Sequence, residues 1–99
     1  MIINESLHPG AALRSDLFVP LGLTANKAAT ILRVSRQFLS DVINGKKEIT
    51  PELAVRLELA FGGSAEDWLA KQSAFDLIQI RSLEESFGVK PYVANILDS

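Results

Sequence analysis

Helix-start signals recur along this chain of 99 residues, and apolar side chains at helical spacing follow each of them. A hydrogen-bond acceptor before a first turn can satisfy a free backbone N–H, and proline suits the first helical position. Glycines at 45 and at 62–63 mark helix ends, because glycine readily adopts the left-handed conformation that closes a helix. These signals predict five helices. Their starts are at His8 with Pro9, Thr24, Ser35, Thr50 with Pro51, and Ser64.

Within each predicted helix, apolar residues define a face that can be buried. The predicted fold class is all-α, with a five-helix domain over residues 1–81 and a short C-terminal extension over residues 82–99. The helices are expected from Pro9 to about Phe18, from Thr24 to about Leu32, over 35–44, over 51–61 and over 64–80. The apolar positions are Leu13 and Leu17, then Ala28, Ala29, Ile31 and Leu32, then Leu39, Val42 and Ile43, which are the expected buried set of the third helix, and finally Leu53, Leu57 and Phe61.

Composition argues against most catalytic chemistry. The chain has no cysteine, which removes disulfides, thiolate metal sites and cysteine nucleophiles. His8 is the only histidine and is interpreted as a helix cap, not as a metal ligand or a catalytic base. We therefore expect no enzyme activity, no cofactor and no metal. No run of 18 apolar residues and no secretory leader pattern occur, so a cytoplasmic location is expected.

Charge is unevenly distributed along the sequence. The whole chain has a net charge of −2, but residues 24–50 carry five basic and two acidic side chains, a net charge of +3. Residues 51–99 carry four basic and eight acidic groups, a net charge of −4. This asymmetry suggests a basic face in the middle of the chain and an acidic C-terminal half.

The second and third predicted helices form a helix-turn-helix candidate. Ala28 and Ala29 allow the helices to approach closely, Arg33 and Val34 supply the short turn, and Val34 can fill the angle between them. The outward face of the third helix would then be free to enter the major groove of DNA.

Candidate base-reading residues lie on this outward face. Arginine can donate two hydrogen bonds to guanine and glutamine can pair with adenine, so Arg36 and Gln37 suit this role. Phe38 either belongs to the core or meets a thymine methyl group. Asp41 either accepts from cytosine N4 or pairs with a nearby cation. Ser40 completes the candidate set, although its hydroxyl also suits a phosphate oxygen.

Candidate phosphate contacts surround the base-reading set. Hydroxyl, amide and ammonium groups bond phosphate oxygens and fix register without reading sequence. Helix N-termini also favour anions. For the two capping side chains, Thr24 and Ser35, capping alone is a sufficient explanation. The full set is Thr24, Asn26, Lys27, Ser35, Asn44, Lys46 and Lys47.

The apolar residues of the fifth helix spread beyond a single stripe, so one side can pack on the fourth helix while the remainder needs another partner. We expect a homodimer seam there; the alternative is a broad contact within one chain. Beyond it, Gly88 and Pro91 interrupt any long helix and leave a short strand or a single helical turn. The predicted seam residues are Trp68, Leu69, Phe75, Leu77, Ile78 and Ile80.

Several segments, in this order, resemble the HigA-type antitoxins of bacterial toxin–antitoxin modules, within the Xre/Cro (lambda-repressor-like, VapI-like) family of helix-turn-helix regulators. They are HPG at 8–10, PLGLT at 20–24, VSRQ at 34–37, LSDVINGK at 39–46, ITPELAVRLELAFG at 49–62 and WLAKQSAFDL at 68–77. Two positions depart from the family pattern. Arg33 stands where the turn usually has glycine, and Phe38 stands where a small polar residue is common.

The resemblance implies a five-helix homodimeric repressor that binds a palindromic operator in the promoter of its own operon. It also implies that the protein neutralises a HigB-like toxin, an mRNA-cleaving ribonuclease. In such a dimer the two reading helices would lie about 34–36 Å apart. One alternative is a free-standing Xre-type regulator without a toxin partner. Another is a helical protein-interaction module that does not bind DNA.

Overall fold

The computed structural model describes residues 8–93, and within that range the chain is helical without a strand. The predicted all-α, five-helix fold is confirmed. Helix α1 is Pro9–Ala12 and continues as a π-helical segment, Leu13–Phe18. The others are α2 (Ala25–Leu32), α3 (Arg36–Ile43), α4 (Pro51–Phe61) and α5 (Ala65–Arg81), followed by a short 3-10 helix, Glu84–Phe87.

All five predicted helix caps are present. Each capping side chain accepts a hydrogen bond from a backbone N–H of the first turn, which leaves one fewer unpaired donor at the helix start. The donor–acceptor distances lie between 2.9 and 3.2 Å. The pairs are Gly10 N to His8 Nδ1, Lys27 N to Thr24 Oγ1, Phe38 N to Ser35 Oγ, Leu53 N to Thr50 Oγ1 and Asp67 N to Ser64 Oγ.

The second half of the first helix differs from the prediction in its hydrogen bonding. The backbone N–H of Val19 donates to the carbonyl of Arg14, five residues earlier, at 2.8 Å. This wider π-helical winding brings residues five apart closer to one face than α-helical winding does. Leu13 and Phe18 are five apart, and both are buried.

The core lies where α1 to α4 and the start of α5 meet. Most of the apolar positions named from the sequence are buried, and Leu17, Ile43 and Phe61 are half-buried at the edge of this core. Ile31 is the exception among these apolar positions, because it is 45% exposed. The buried set is Leu13, Phe18, Ala28, Ala29, Leu32, Leu39, Val42, Ile49, Leu53, Ala54, Leu57 and Ala65.

Gly10 allows α1 to touch the backbone of α3. A Cβ atom at this position would overlap the carbonyl oxygen of Val42 and lie 2.7 Å from its carbonyl carbon. The atoms in the way belong to backbone, so they cannot be relieved by a change of rotamer. The glycine therefore fixes how closely the first helix supports the C-terminal end of α3.

We expect Gly10→Ala to lower the free energy of unfolding by about 2–3 kcal/mol, because overpacking costs more than the usual gain of alanine in a helix. Urea unfolding followed by circular dichroism measures this change. Gly88→Ala is the matched control: it adds left-handed strain, but no atom lies within 4 Å of the new Cβ. A Gly10→Ala protein as stable as the wild type would contradict the close approach.

Candidate nucleic-acid interface

The turn between α2 and α3 is closed by a left-handed arginine. Arg33 has φ 59° and ψ 43°, and it is the only residue other than glycine with a positive φ between residues 8 and 93. Arg33 N donates to Thr30 O at 3.2 Å and Val34 N donates to Ala29 O at 3.1 Å, the hydrogen-bond pattern of a Schellman motif. The left-handed conformation costs a residue with a side chain about 1–2 kcal/mol.

The predicted helix-turn-helix geometry therefore forms without the usual turn glycine. Val34 packs against the core, as expected for a residue that fills the angle between the helices. Leu39 and Val42 anchor the inner face of α3, where both side chains are fully buried. The outer face at the start of α3 is left open to solvent.

The candidate base-reading residues share this face but differ in exposure. Arg36 and Gln37 are exposed, whereas Ser40 and Asp41 are half-buried. Gln37 Nε2 donates to Asp41 Oδ1 at 2.9 Å, and Lys47 Nζ lies 4.0 Å from Asp41 Oδ2. Of the two predicted roles for Asp41, the free chain has the pairing with a cation.

Phe38 is half-buried and packs against the core. The ammonium group of Lys47 lies 5.7 Å from the centre of its ring, within the range of a cation–π contact. The core alternative thus describes Phe38 in the free chain, while a thymine contact by its outer edge stays a prediction.

The candidate phosphate-binding residues flank the same face. Asn26 and Lys27 are exposed in the first turn of α2, and Lys46 and Lys47 are exposed after α3. Asn44 Nδ2 donates to Ser40 Oγ at 3.3 Å, which holds these two side chains together. The capping hydroxyls of Thr24 and Ser35 act as acceptors in their caps, so each O–H remains able to donate to a phosphate oxygen.

Comparisons with known proteins agree with this geometry. A family model described as helix-turn-helix matches residues 16–69, more than half of the chain. Antitoxin HigA-1 of Vibrio cholerae is 34% identical over 92 residues, covering 91% of this chain and 87% of the antitoxin. The chain belongs to the Xre-type helix-turn-helix family.

Two further relatives support this membership. Virulence-associated protein I of Dichelobacter nodosus is 34% identical over 84 residues, covering 85% of this chain and 78% of that protein. A Pseudomonas aeruginosa protein crystallised in complex with its operator DNA is 25% identical, with a TM-score of 0.81 over 89% of this chain and 96% of that one. The resemblance to HigA-type antitoxins is confirmed.

In this Xre-type chain, α5 contacts the loop after α3 that carries Lys46 and Lys47. Gly45, with φ 78°, turns the chain, and the N–H groups of Lys46 and Lys47 both donate to the carbonyl of Asp41, at 2.7 and 3.2 Å. The buried side chain of Gln72 accepts from Ile49 N at 2.8 Å through Oε1. Gln72 was missed by sequence reasoning, because a glutamine in a helix carries no local signal for a contact 23 residues away.

His8 has the structural role predicted for it. Its Nδ1 caps α1, and its ring meets the ring of Phe75 edge-on, with centroids 5.0 Å apart. Burial lowers the pKa of His8, although the negative charges of Asp76 and Glu48 act to raise it. The neutral ring is the form that can accept at Nδ1. Among residues 8–93, no three histidine or carboxylate side chains are grouped as a metal site.

The six predicted seam residues do not share one free face of α5. Trp68 and Leu69 are half-buried and pack against the core, and Phe75 is half-buried beside His8. These three make the contacts within one chain that formed the alternative prediction. The other three, Leu77, Ile78 and Ile80, are 37–49% exposed.

None of the helices over residues 8–93 is long and apolar enough to cross a membrane.

Proposed function

We propose that this chain is an antitoxin that acts by binding rather than by catalysis. As a homodimer it binds a palindromic operator and represses its own operon, and it neutralises a HigB-like ribonuclease toxin. The observation that carries the DNA-binding part is the exposed start of α3, where Arg36 and Gln37 project from a closely packed helix-turn-helix. The antitoxin part draws on the relative named HigA-1.

Base reading is assigned to the outward side chains of α3. Arg36 donates to guanine O6 and N7, and Gln37 pairs with adenine N6 and N7. The bond to Asp41 holds the Gln37 amide in place before DNA arrives, which reduces the entropy lost on binding. Phe38, Ser40 and Asp41 complete the reading face as secondary contacts.

Phosphate contacts fix the register of this face on the duplex. Lys27 and Asn26 clamp one phosphate at the start of α2, while Lys46 and Lys47 clamp another beyond α3, together with Thr24, Ser35 and Asn44. The acidic overall charge does not prevent this, because residues 24–50 have a net charge of +3. Lys47 also offsets the charge of Asp41, the one carboxylate within α3.

We expect Arg36→Ala to weaken binding to the operator by about 10- to 100-fold, because one bidentate base contact contributes about 1–3 kcal/mol of discrimination. Binding to a scrambled duplex should change far less. Fluorescence anisotropy with the chain's own promoter fragment, at several salt concentrations, measures both affinities. Gln37→Ala should behave in the same way.

Lys71→Ala is the control for this experiment, because it removes one positive charge from α5 and leaves α3 intact. It should bind like the wild type. Equal wild-type affinity for the promoter and the scrambled duplex would refute base reading. The absence of measurable affinity for either duplex at low salt would favour the alternative of a protein-interaction module.

The dimer is assigned to the exposed apolar residues of the C-terminal part. Eight large apolar side chains within residues 77–93 are 37–90% exposed. At about 150–250 Å² for each large side chain, their exposed fractions offer roughly 800 Å² per chain, the size of a standard interface. The proposed occupant is a second copy of this chain. The eight are Leu77, Ile78, Ile80, Leu83, Phe87, Val89, Tyr92 and Val93.

Ile80→Asp should convert the dimer to a monomer at micromolar concentration, because it places a charge in an apolar seam. Light scattering after size-exclusion chromatography measures the mass. Leu59→Asp is the matched control, since Leu59 is 79% exposed on α4, outside the proposed seam. A wild-type monomer, or a dimer unaffected by Ile80→Asp, would count against this seam.

The toxin partner is expected to be a small basic protein encoded by the adjacent gene. The acidic half of this chain, with a net charge of −4 over residues 51–99, is complementary to such a protein. Co-expression of the two should restore the growth that the toxin alone arrests, and the two should purify together. An adjacent gene whose product is neither toxic nor bound would favour the free-standing regulator.

A further inference from the structure

A single arginine of α4 joins that helix to the turn of the helix-turn-helix. Arg56 Nη1 donates to the carbonyl of Leu32 at 2.9 Å and to the carbonyl of Arg33 at 3.3 Å. The first is the last carbonyl group of α2, and the second is the carbonyl of the left-handed residue that follows. The contact spans 24 residues of sequence and ties two elements that are not adjacent in the chain.

The guanidinium of Arg56 is itself held in place. Its Nε donates to Glu52 Oε2 at 2.9 Å, one turn earlier on α4, and its Nη2 forms an ion pair with the same oxygen at 2.8 Å. Glu52 stands in the first turn of that helix, where a negative charge is favoured. The positive charge of Arg56 in turn faces the C-terminal end of α2, where a positive charge is favoured. The planar group can serve both partners at once because its donors form a fixed fork.

The position of this contact matters for DNA binding because the two halves of the motif do different work. Phosphate clamps lie at the start of α2, and base readers lie at the start of α3. Asn26 and Lys27 lie about 10 Å along α2 from the turn at Arg33. A rotation of about 10° at the turn would move the clamps by about 2 Å relative to the readers, beyond the tolerance of a hydrogen bond.

We propose that Arg56, oriented by Glu52, is a positioning residue that locks the left-handed turn at Arg33. The lock keeps the phosphate clamps of α2 in register with Arg36 and Gln37. This inference rests on the proposed DNA binding. It assigns Arg56 no contact with DNA, so its loss should alter operator preference and not general attraction to the duplex.

The test compares Arg56→Met, which removes the donors, with Arg56→Lys, which keeps the charge but lacks the fork. We expect both to weaken operator binding about tenfold, and to leave the affinity for the scrambled duplex and the salt dependence of that affinity unchanged. Glu52→Gln should have a smaller effect of the same kind. Lys71→Met is the control for the lost charge. A salt slope lowered by about one, with equal losses on both duplexes, would show a phosphate contact and overturn the lock.

A second readout needs no DNA. Hydrogen exchange at the amide of Val34, which is bonded to the carbonyl of Ala29, should accelerate at least tenfold in Arg56→Met while that of the Leu57 amide in α4 does not change. Uniform acceleration would indicate loss of global stability and count against a local lock. If Arg56→Met does not fold, Arg56→Lys carries the same comparison.

Rescue distinguishes the lock from other effects. Arg33→Gly removes the left-handed strain that the lock opposes, so adding it to Arg56→Met should restore most of the operator affinity. No rescue, together with unchanged exchange at Val34, would overturn the inference while leaving the proposed function intact. A wild-type protein with no operator preference would overturn both.

Discussion

The left-handed turn at Arg33 is the constraint on which the proposed DNA-binding surface depends. It sets the angle between α2 and α3, and three sets of contacts stabilise a conformation that arginine disfavours. Backbone bonds to Ala29 and Thr30 close the turn, Val34 packs against the core beneath it, and Arg56 bonds the carbonyls around it. Glycine would adopt this conformation without strain, whereas here contacts from α2 and α4 stabilise it.

Local signals explain why much of this fold could be predicted. A capping hydroxyl at Thr24, Ser35 or Thr50 acts within three residues, so the helix starts are encoded where they occur. The outward position of Arg36 and Gln37 follows from the burial of Leu39 and Val42 in the same helix. The exposure of Ile31 could not be predicted from such local signals, because it depends on which side of α2 the other helices cover.

The supporting contacts escaped prediction for the same reason. Gln72 bonds the backbone of Ile49, and Arg56 bonds that of Leu32, across 23 and 24 residues of sequence. A glutamine or an arginine on a half-exposed helix is ordinarily a solvated residue, and only packing of the helices gives it a backbone partner. Residues proposed to touch DNA could thus be predicted from local pattern, while the residues that hold the turn and the loop in place required the structure.

Helix α5 connects the two proposed binding events. Through Gln72 it holds the loop that carries Lys46 and Lys47, and about two turns later it presents Ile78 and Ile80. In the proposed dimer, one continuous helix therefore runs from the seam to the phosphate clamp of each protomer. Because a helix transmits position with little flexing, the seam itself would fix the distance between the two reading surfaces. Half-site spacing would then depend on α5 and on the apolar segment that follows it, and base preference on α3.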